Sequence, residues 1–198
     1  MKLMVRSPRT VLAALATGLA GLLAGGLLAI APSANAEDSG SVQAVAVQAR
    51  YNPIGATATG PSGPASAKFT AGPHCCPSNA LVLTPKQVIG EADLQWLDLG
   101  LNWDNAGITS VDVCYAISTS VVGTTYISQT RVSEMTTPNS AVVRLDDGTN
   151  RTTPTANCYT VPASFTPSGA LSLSLKVVFG NVNDRITIGM VKVGGVSP

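Results

Sequence analysis

Apolar and polar residues alternate along most of the chain after Ala80, as they do in strands that bury one face. The clearest run covers residues 171–179, where leucine, valine and phenylalanine alternate with serine and lysine. Comparable patterns predict further strands, at 81–83, 97–103, 111–117, 126–132, 141–145, 157–161 and 186–190. No segment after residue 36 has a sustained helical apolar period, so the chain is predicted to be all-β.

The number and spacing of these segments narrow the fold class. About eight short strands, separated by turn signals such as those at 146–148 and 166–169, predict an antiparallel β-sandwich over residues 80–198. Both a jelly-roll and an immunoglobulin-like sandwich fit this pattern, and a closed barrel is the alternative. The strand order stays open.

One tryptophan stands on the polar side of its predicted strand. Leu97, Leu99 and Leu101 share the apolar face with Trp103, so Trp96 falls on the opposite face together with Asp98. An indole on a wet sheet face, next to an acid, is typical of a group that stacks on a sugar or contacts a protein partner. Trp96 and Asp98 are therefore the candidate binding residues. The alternative is that the arm or a second sheet covers this face.

The first 36 residues predict a signal peptide. Lys2, Arg6 and Arg9 form a positive segment, residues 11–31 are uncharged and rich in leucine, alanine and glycine, and residues 34–36 read Ala-Asn-Ala. Cleavage after residue 36 would release a secreted protein, at the cell surface, in the periplasm or outside the cell. The apolar segment is also long enough to be an uncleaved membrane anchor. Cleavage is favoured because small residues and then a polar stretch follow.

Residues 37–79 differ in composition from the rest of the chain. They are rich in alanine, glycine, serine, threonine and proline, and 60–65 read as a linker. Such a segment buries too little apolar surface to offset the entropy of ordering it, so a flexible arm is predicted. A single short strand around residues 42–47 is the alternative.

The four cysteines predict disulfide bonds. An exported chain with Cys75, Cys76, Cys114 and Cys158 is expected to form two bridges. A bond between the adjacent pair is strained, because neighbouring Cα atoms are closer than disulfides usually require. The favoured pairing therefore joins Cys75 and Cys76 to Cys114 and Cys158, which ties the arm to the sandwich. A bond between Cys114 and Cys158 is the alternative.

The charge of the chain argues against nucleic acid as a partner. Without the three basic residues of the signal segment, nine basic residues stand against eleven acidic ones. A nearly neutral domain lacks the basic surface that binds phosphate backbones or anionic lipids. We therefore expect no nucleic acid partner, and no membrane association after signal cleavage.

Catalytic and metal-binding signals are sparse. His74 is the only histidine, lies in the arm, and has no nucleophile motif beside it. A carboxylate pair of the glycosidase type is conceivable, with Glu91 and Glu134 as candidates, but acids are common on the wet face of a sandwich. No cofactor is expected. Adjacent ligands at 74–76 cannot converge on zinc, and calcium at the acidic turns near Asp104 and Asp146 is left open.

The sequence thus favours binding over catalysis. It predicts a secreted, non-catalytic β-sandwich that acts as an extracellular binding module, with carbohydrate as the first ligand and a protein surface as the second. The alternatives are a structural or cell-surface protein without a small ligand, and a carboxylate-dependent enzyme that acts on polysaccharide. The oligomeric state is not predicted.

Overall fold

The computed structural model describes residues 44–75, 79–104 and 106–197. The predicted signal peptide and its cleavage site after Ala36 lie outside these residues, and so does Cys76. None of the helical segments in the described residues is long and apolar enough to cross a bilayer.

Strands dominate the described residues, which also contain short 3₁₀ turns at Pro53–Gly55 and Pro64–Ser66. In chain order the strands are β1 (Val45–Tyr51), β2 (Thr57–Thr59), β3 (Phe69–Pro73), β4 (Leu81–Pro85), β5 (Trp96–Leu101), β6 (Gly107–Ser118), β7 (Tyr126–Thr137), β8 (Ser140–Asp147), β9 (Asn157–Phe165), β10 (Ala170–Val178) and β11 (Arg185–Ser197).

The strands form two antiparallel sheets. Sheet I has the order β3-β4-β11-β6-β9, with β1 also paired to β11, and sheet II has the order β2-β5-β10-β7-β8. From β4 onward the pairing is nested: β4 pairs with β11, β5 with β10, β6 with β9 and β7 with β8. This is the order of a long hairpin rolled into two sheets, a jelly roll. The predicted sandwich is confirmed, and of its two predicted kinds the jelly roll is the one formed.

The core lies between the sheets and is built by the alternation seen in the sequence. Leu97, Leu99 and Leu101 of β5 point inward beside Leu173 and Leu175 of β10. Each such side chain stabilises the fold by roughly 1.5 to 3 kcal/mol through removal from water. The largest fully buried side chains are those of Phe69, Phe179, Leu81, Leu83, Ile89, Leu97, Ile108, Ile127, Leu173, Leu175, Ile186 and Ile188.

Residues 45–73, which the composition assigns to a flexible arm, contribute three strands. β1 pairs with β11, β2 with β5 and β3 with β4. The composition is misleading because these strands add to existing sheet edges, where backbone hydrogen bonds and a few apolar side chains suffice. Phe69 is the chief anchor, with 1% of its surface exposed and its ring centroid 6.3 Å from that of Phe179.

Two strands depart from simple alternation. The pairing of β11 with β6 shifts between Ile188 and Met190, which leaves Gly189 as the extra residue of a bulge. The inward positions after the bulge are therefore Val191 and Val193, and the expectation that Met190 continues the buried face is wrong. In β8 only Leu145 is buried, because most of this edge strand lies beyond the covered part of sheet II.

Candidate functional site

Trp96 begins β5 and points away from the core. The alternation that buries Leu97 and Leu99 places Trp96 and Asp98 on the outer face of sheet II, as the sequence predicts. Both side chains are half-buried. Their neighbours are therefore set by the strands that flank β5, which are β2 and β10.

The strand register brings polar side chains to these two residues. Thr59 of β2 lies directly opposite Trp96, and Ser174 of β10 lies directly opposite Asp98. One strand further along, Arg131 of β7 lies opposite Ser174. Outward-facing residues from four strands thus meet on one patch of the sheet.

Arg131 covers the indole. Its guanidinium carbon lies over the ring of Trp96, 5.1 Å from the centroid, in a cation–π arrangement. Asp146 of β8 holds the guanidinium in place, because its Oδ2 accepts a hydrogen bond of 3.0 Å from Nη2. Gln129 donates a second bond of 2.5 Å to Oδ1 of the same carboxylate. The Arg131 hydrogen bond lowers the pKa of Asp146, and the bond from Gln129 adds to this, so the ion pair persists in mild acid.

Asp98 is held by hydroxyl groups. Its Oδ2 accepts a hydrogen bond of 2.5 Å from Thr59 Oγ1, and its Oδ1 accepts one of 2.5 Å from Ser174 Oγ. These two bonds orient the carboxylate on the sheet surface next to the indole. Asp98 is thereby a fixed hydrogen-bond acceptor with lone pairs left for a ligand.

Trp96, Asp98 and their neighbours line a cavity of about 210 Å³. The lining residues are Thr59, Trp96, Asp98, Arg131, Ser133 and Ser174. The cavity combines one large apolar ring with a carboxylate, a guanidinium and three hydroxyl groups. That mixture suits a ligand with an apolar face and many hydroxyl groups.

A larger hollow of about 610 Å³ lies on the outer face of sheet I, over the disulfide. Small side chains such as Ala116, Ala156 and Gly189 line it, and the polar side chains of Asn157 and Thr187 lie at its border. It offers no aromatic ring side chain on the outer face and no charged group among its lining residues. We therefore place the candidate site at Trp96, where directional chemistry is concentrated.

The disulfide differs from the favoured pairing. Cys114 bonds to Cys158, since the two residues lie directly opposite each other on β6 and β9, with a Cα–Cα distance of 3.9 Å. The prediction that Cys75 and Cys76 bridge to these two cysteines is therefore wrong, and the alternative pairing is correct. The sequence left this open because the pairing of β6 with β9 was not predicted. Cys75 is exposed just after β3.

The two glutamates considered for catalysis are far apart. Glu91 lies in the turn before β5 and accepts a hydrogen bond of 2.7 Å from Tyr126 at the start of β7. Glu134 lies eight positions further along β7. At about 3.4 Å per residue this places them roughly 27 Å apart, well beyond the separation of a glycosidase pair. They cannot act together on one glycosidic bond.

Glu134 instead has a structural environment. Its side chain is fully buried, and Oε1 accepts hydrogen bonds from the backbone N–H groups of Ser168, at 2.5 Å, and Gly169, at 2.6 Å. Arg144 donates to Oε2 at 2.6 Å. The backbone hydrogen bond from Ser168 is the main cause that lowers the pKa of Glu134 to about 2, with Arg144 adding to it. This carboxylate fastens the turn before β10 to β7.

The acidic turn at the end of β8 is occupied by arginines. Asp146 pairs with Arg131, and Asp147 pairs with Arg151. Within 44–75, 79–104 and 106–197 there is no cluster of three or more His, Cys, Asp or Glu side chains placed to hold a metal ion. His74 is exposed after β3, and Asn105, the predicted neighbour of Asp104, lies outside the described residues.

Reasoning from the sequence missed most of the lining residues. Arg131, Ser133 and Ser174 are outward positions of strands β7 and β10, which the alternation identifies as wet-facing. Nothing in one sequence indicates that β10 lies between β5 and β7. Thr59 was missed for a different reason, because it belongs to the segment predicted to be a flexible arm.

Comparison with known proteins gives a likeness in structure only. No protein-family model matches the chain, and no curated protein matches it in sequence. Among solved structures, the carbohydrate-binding module CBM36 in complex with calcium and xylotriose aligns at a TM-score of 0.43 and 12% identity, covering 73% of this chain and 98% of the module. At these values the alignment carries no argument about function.

Other solved structures give similar values. The CBM36-1 domain of a multidomain xylanase from the hindgut metagenome of Trinervitermes trinervoides aligns at a TM-score of 0.46 and 11% identity, covering 77% of this chain and 100% of the domain. A family 29 carbohydrate-binding module in complex with mannohexaose aligns at 0.39 and 13%, covering 78% and 93%. All these neighbours have the size of the sandwich described above. What the protein binds has to be argued from its own residues.

Proposed function

We propose that this protein is a secreted, non-catalytic carbohydrate-binding module whose site is the Trp96 cavity on sheet II. The observation that carries the proposal is the juxtaposition of the Trp96 indole and the Asp98 carboxylate in one cavity. A pyranose ring has an apolar face of C–H groups and a rim of hydroxyl groups, so it needs both kinds of contact. The strand register supplies them side by side.

Each lining residue has a distinct role in this proposal. Trp96 contacts the apolar face of the sugar through the part of its indole that Arg131 leaves exposed. Asp98 accepts hydrogen bonds from sugar hydroxyl groups, since Thr59 and Ser174 fix its orientation. Arg131 donates hydrogen bonds through the N–H groups that Asp146 does not occupy.

Binding to a glycan array of the secreted protein is the test, with two variants beside the parent. Trp96→Ala should lose at least tenfold in affinity for the best glycan, because a desolvated aromatic anchor contributes about 1.4 kcal/mol or more. Asn157→Ala is the matched control, since it alters the larger hollow on sheet I and leaves the Trp96 cavity intact. A folded Trp96→Ala protein that binds as tightly as the parent would remove this site from the account.

Secretion is part of the same proposal and has its own test. We propose that the signal segment is cleaved after Ala36, so that the mature protein begins at Glu37. Mass spectrometry of the protein recovered from the culture medium should give this N-terminus. An intact N-terminus found in the membrane fraction would show that the segment is an anchor.

A further inference from the structure

The charge balance of the Trp96 cavity is uneven. Asp98 is the only carboxylate that lines it. None of the ion pairs among the described residues involves Asp98. Its partners are the hydroxyl groups of Thr59 and Ser174, which carry no charge. The cavity therefore presents a full negative charge to a ligand at this point.

The two hydroxyl groups have no protons left for a ligand. A serine or threonine hydroxyl has a single proton, and Thr59 and Ser174 both donate theirs to Asp98. On this side the cavity can only accept hydrogen bonds, through Asp98 and the two hydroxyl oxygens. A ligand group bound here must be a donor, which a carboxylate is not.

The opposite side of the cavity is a donor. Arg131 pairs with Asp146, which balances its charge, and uses Nε and Nη2 for that contact. Nη1 and part of Nη2 still carry N–H groups for the cavity. Arg131 and Asp98 lie two strands apart on the outer face, which corresponds to about 10 Å between their Cα atoms. One sugar ring with its hydroxyl groups spans the gap between the two side chains.

We propose that the cavity selects uncharged glycans and discriminates against uronate-bearing ones, an inference that rests on the proposed carbohydrate site. A sugar hydroxyl group donates to Asp98 and accepts from Arg131, so a neutral polyol satisfies both sides. A uronate carboxylate next to Asp98 would place two negative charges within a few ångströms. A cationic amino sugar would meet the Arg131 guanidinium, which lines the same cavity and covers the indole.

Pairs of oligosaccharides that differ at one carbon test this inference. The probes are a β-1,4-glucan hexamer with its C6-carboxylated form, a β-1,4-mannan hexamer with the matching mannuronate, and a chitosan hexamer. For any backbone that binds, the parent should prefer the neutral member by about tenfold, which is the size of a partly screened charge repulsion at this distance.

Two variants locate the cause of the preference. Asp98→Asn keeps the shape and removes the charge, so it should raise the affinity for the carboxylated member relative to the neutral one by about tenfold. Glu91→Gln removes an equal charge from the same end of the protein but outside the cavity, and it should leave the ratio unchanged.

The outcomes separate this inference from the proposed function. Binding of the carboxylated member or of chitosan more tightly than the neutral member would overturn the inference and leave a carbohydrate site in place. An unchanged ratio in Asp98→Asn would also overturn it. Binding of none of the probes, nor of any glycan on the array, would overturn the proposed function itself.

Discussion

The guanidinium of Arg131 lies over the indole of Trp96, and Asp146 holds it there through the Nη2 hydrogen bond. The three residues come from three different strands, β5, β7 and β8. Their contact makes the aromatic ring part of a polar site and not an isolated apolar patch. It also gives the site a property that can be measured without a ligand.

Replacement of Arg131 by methionine should change the titration of Asp146. In the parent, the Arg131 hydrogen bond holds the pKa of Asp146 below its ordinary value of 3.8. Arg131→Met keeps the apolar stem but removes the donor, so the pKa of Asp146 should rise toward that value. Carboxyl chemical shifts recorded against pH by NMR give both pKa values. An Asp146 pKa that stays low in the variant would mean that Gln129 alone holds the carboxylate.

The β3 strand should matter for stability even though it lies in the segment predicted to be a flexible arm. Phe69→Ala should lower the free energy of unfolding by about 3 to 5 kcal/mol, because the ring is buried against Phe179. Thr70→Ala, at the next and exposed position of the same strand, should change it by about 0.5 kcal/mol or less. Urea denaturation compares the two variants. Equal, small effects would show that the segment is not part of the folded domain.

Strand positions could be predicted from the sequence because alternation is a local signal. Leu97, Leu99 and Leu101 predicted both the buried face of β5 and the outward direction of Trp96. The partners of Trp96 could not be predicted in this way, since they depend on which strands are neighbours in the sheet. The nested jelly-roll order that places Ser174 and Arg131 there is a non-local property of the whole chain.

Two further differences have local physical causes that composition does not reveal. Gly189 forms a bulge that shifts the inward positions of β11 by one residue, so Met190 does not continue the buried face. The three strands from 45–73 are stabilised mainly by backbone pairing to sheet edges, which does not require a strong apolar pattern. The cysteine pairing was open for the same non-local reason as the site.

The disulfide should stabilise the sandwich by linking β6 to β9. Replacement of both Cys114 and Cys158 by serine should lower the free energy of unfolding by about 4 kcal/mol, since the bond closes a loop with a sequence separation of 44. Peptide mapping without reduction should recover the peptides of these two cysteines as one linked species. Recovery of either one linked to Cys75 or Cys76 would contradict the structure.

Glu134 should make the protein sensitive to acid. Its folded pKa of about 2 lies below the ordinary 4.5, so its stabilising effect is complete above about pH 4.5 and is lost as the pH falls toward 2. Glu134→Gln should lower the free energy of unfolding by about 3 kcal/mol at pH 7 and flatten its dependence on pH between these values.

Glu91→Gln is the control for this acid dependence, because the Glu91 carboxylate is exposed to solvent. Chemical denaturation at pH 2, 3, 4, 5 and 7 gives both curves. A parent protein whose stability does not change across this range would show that the contacts of Glu134 with Ser168, Gly169 and Arg144 are not maintained in solution.

The most direct test of the carbohydrate site uses the indole N–H resonances, since the chain has two tryptophans. Trp103 donates its Nε1–H to the backbone oxygen of Ala106 and packs against the core, so it serves as an internal reference. The spectrum of Trp96→Phe assigns the two signals. On titration with the neutral oligosaccharide that binds best on the array, the account predicts that the Trp96 signal moves with saturation while the Trp103 signal stays in place. Saturable binding of that glycan with no movement of the Trp96 signal would contradict the account.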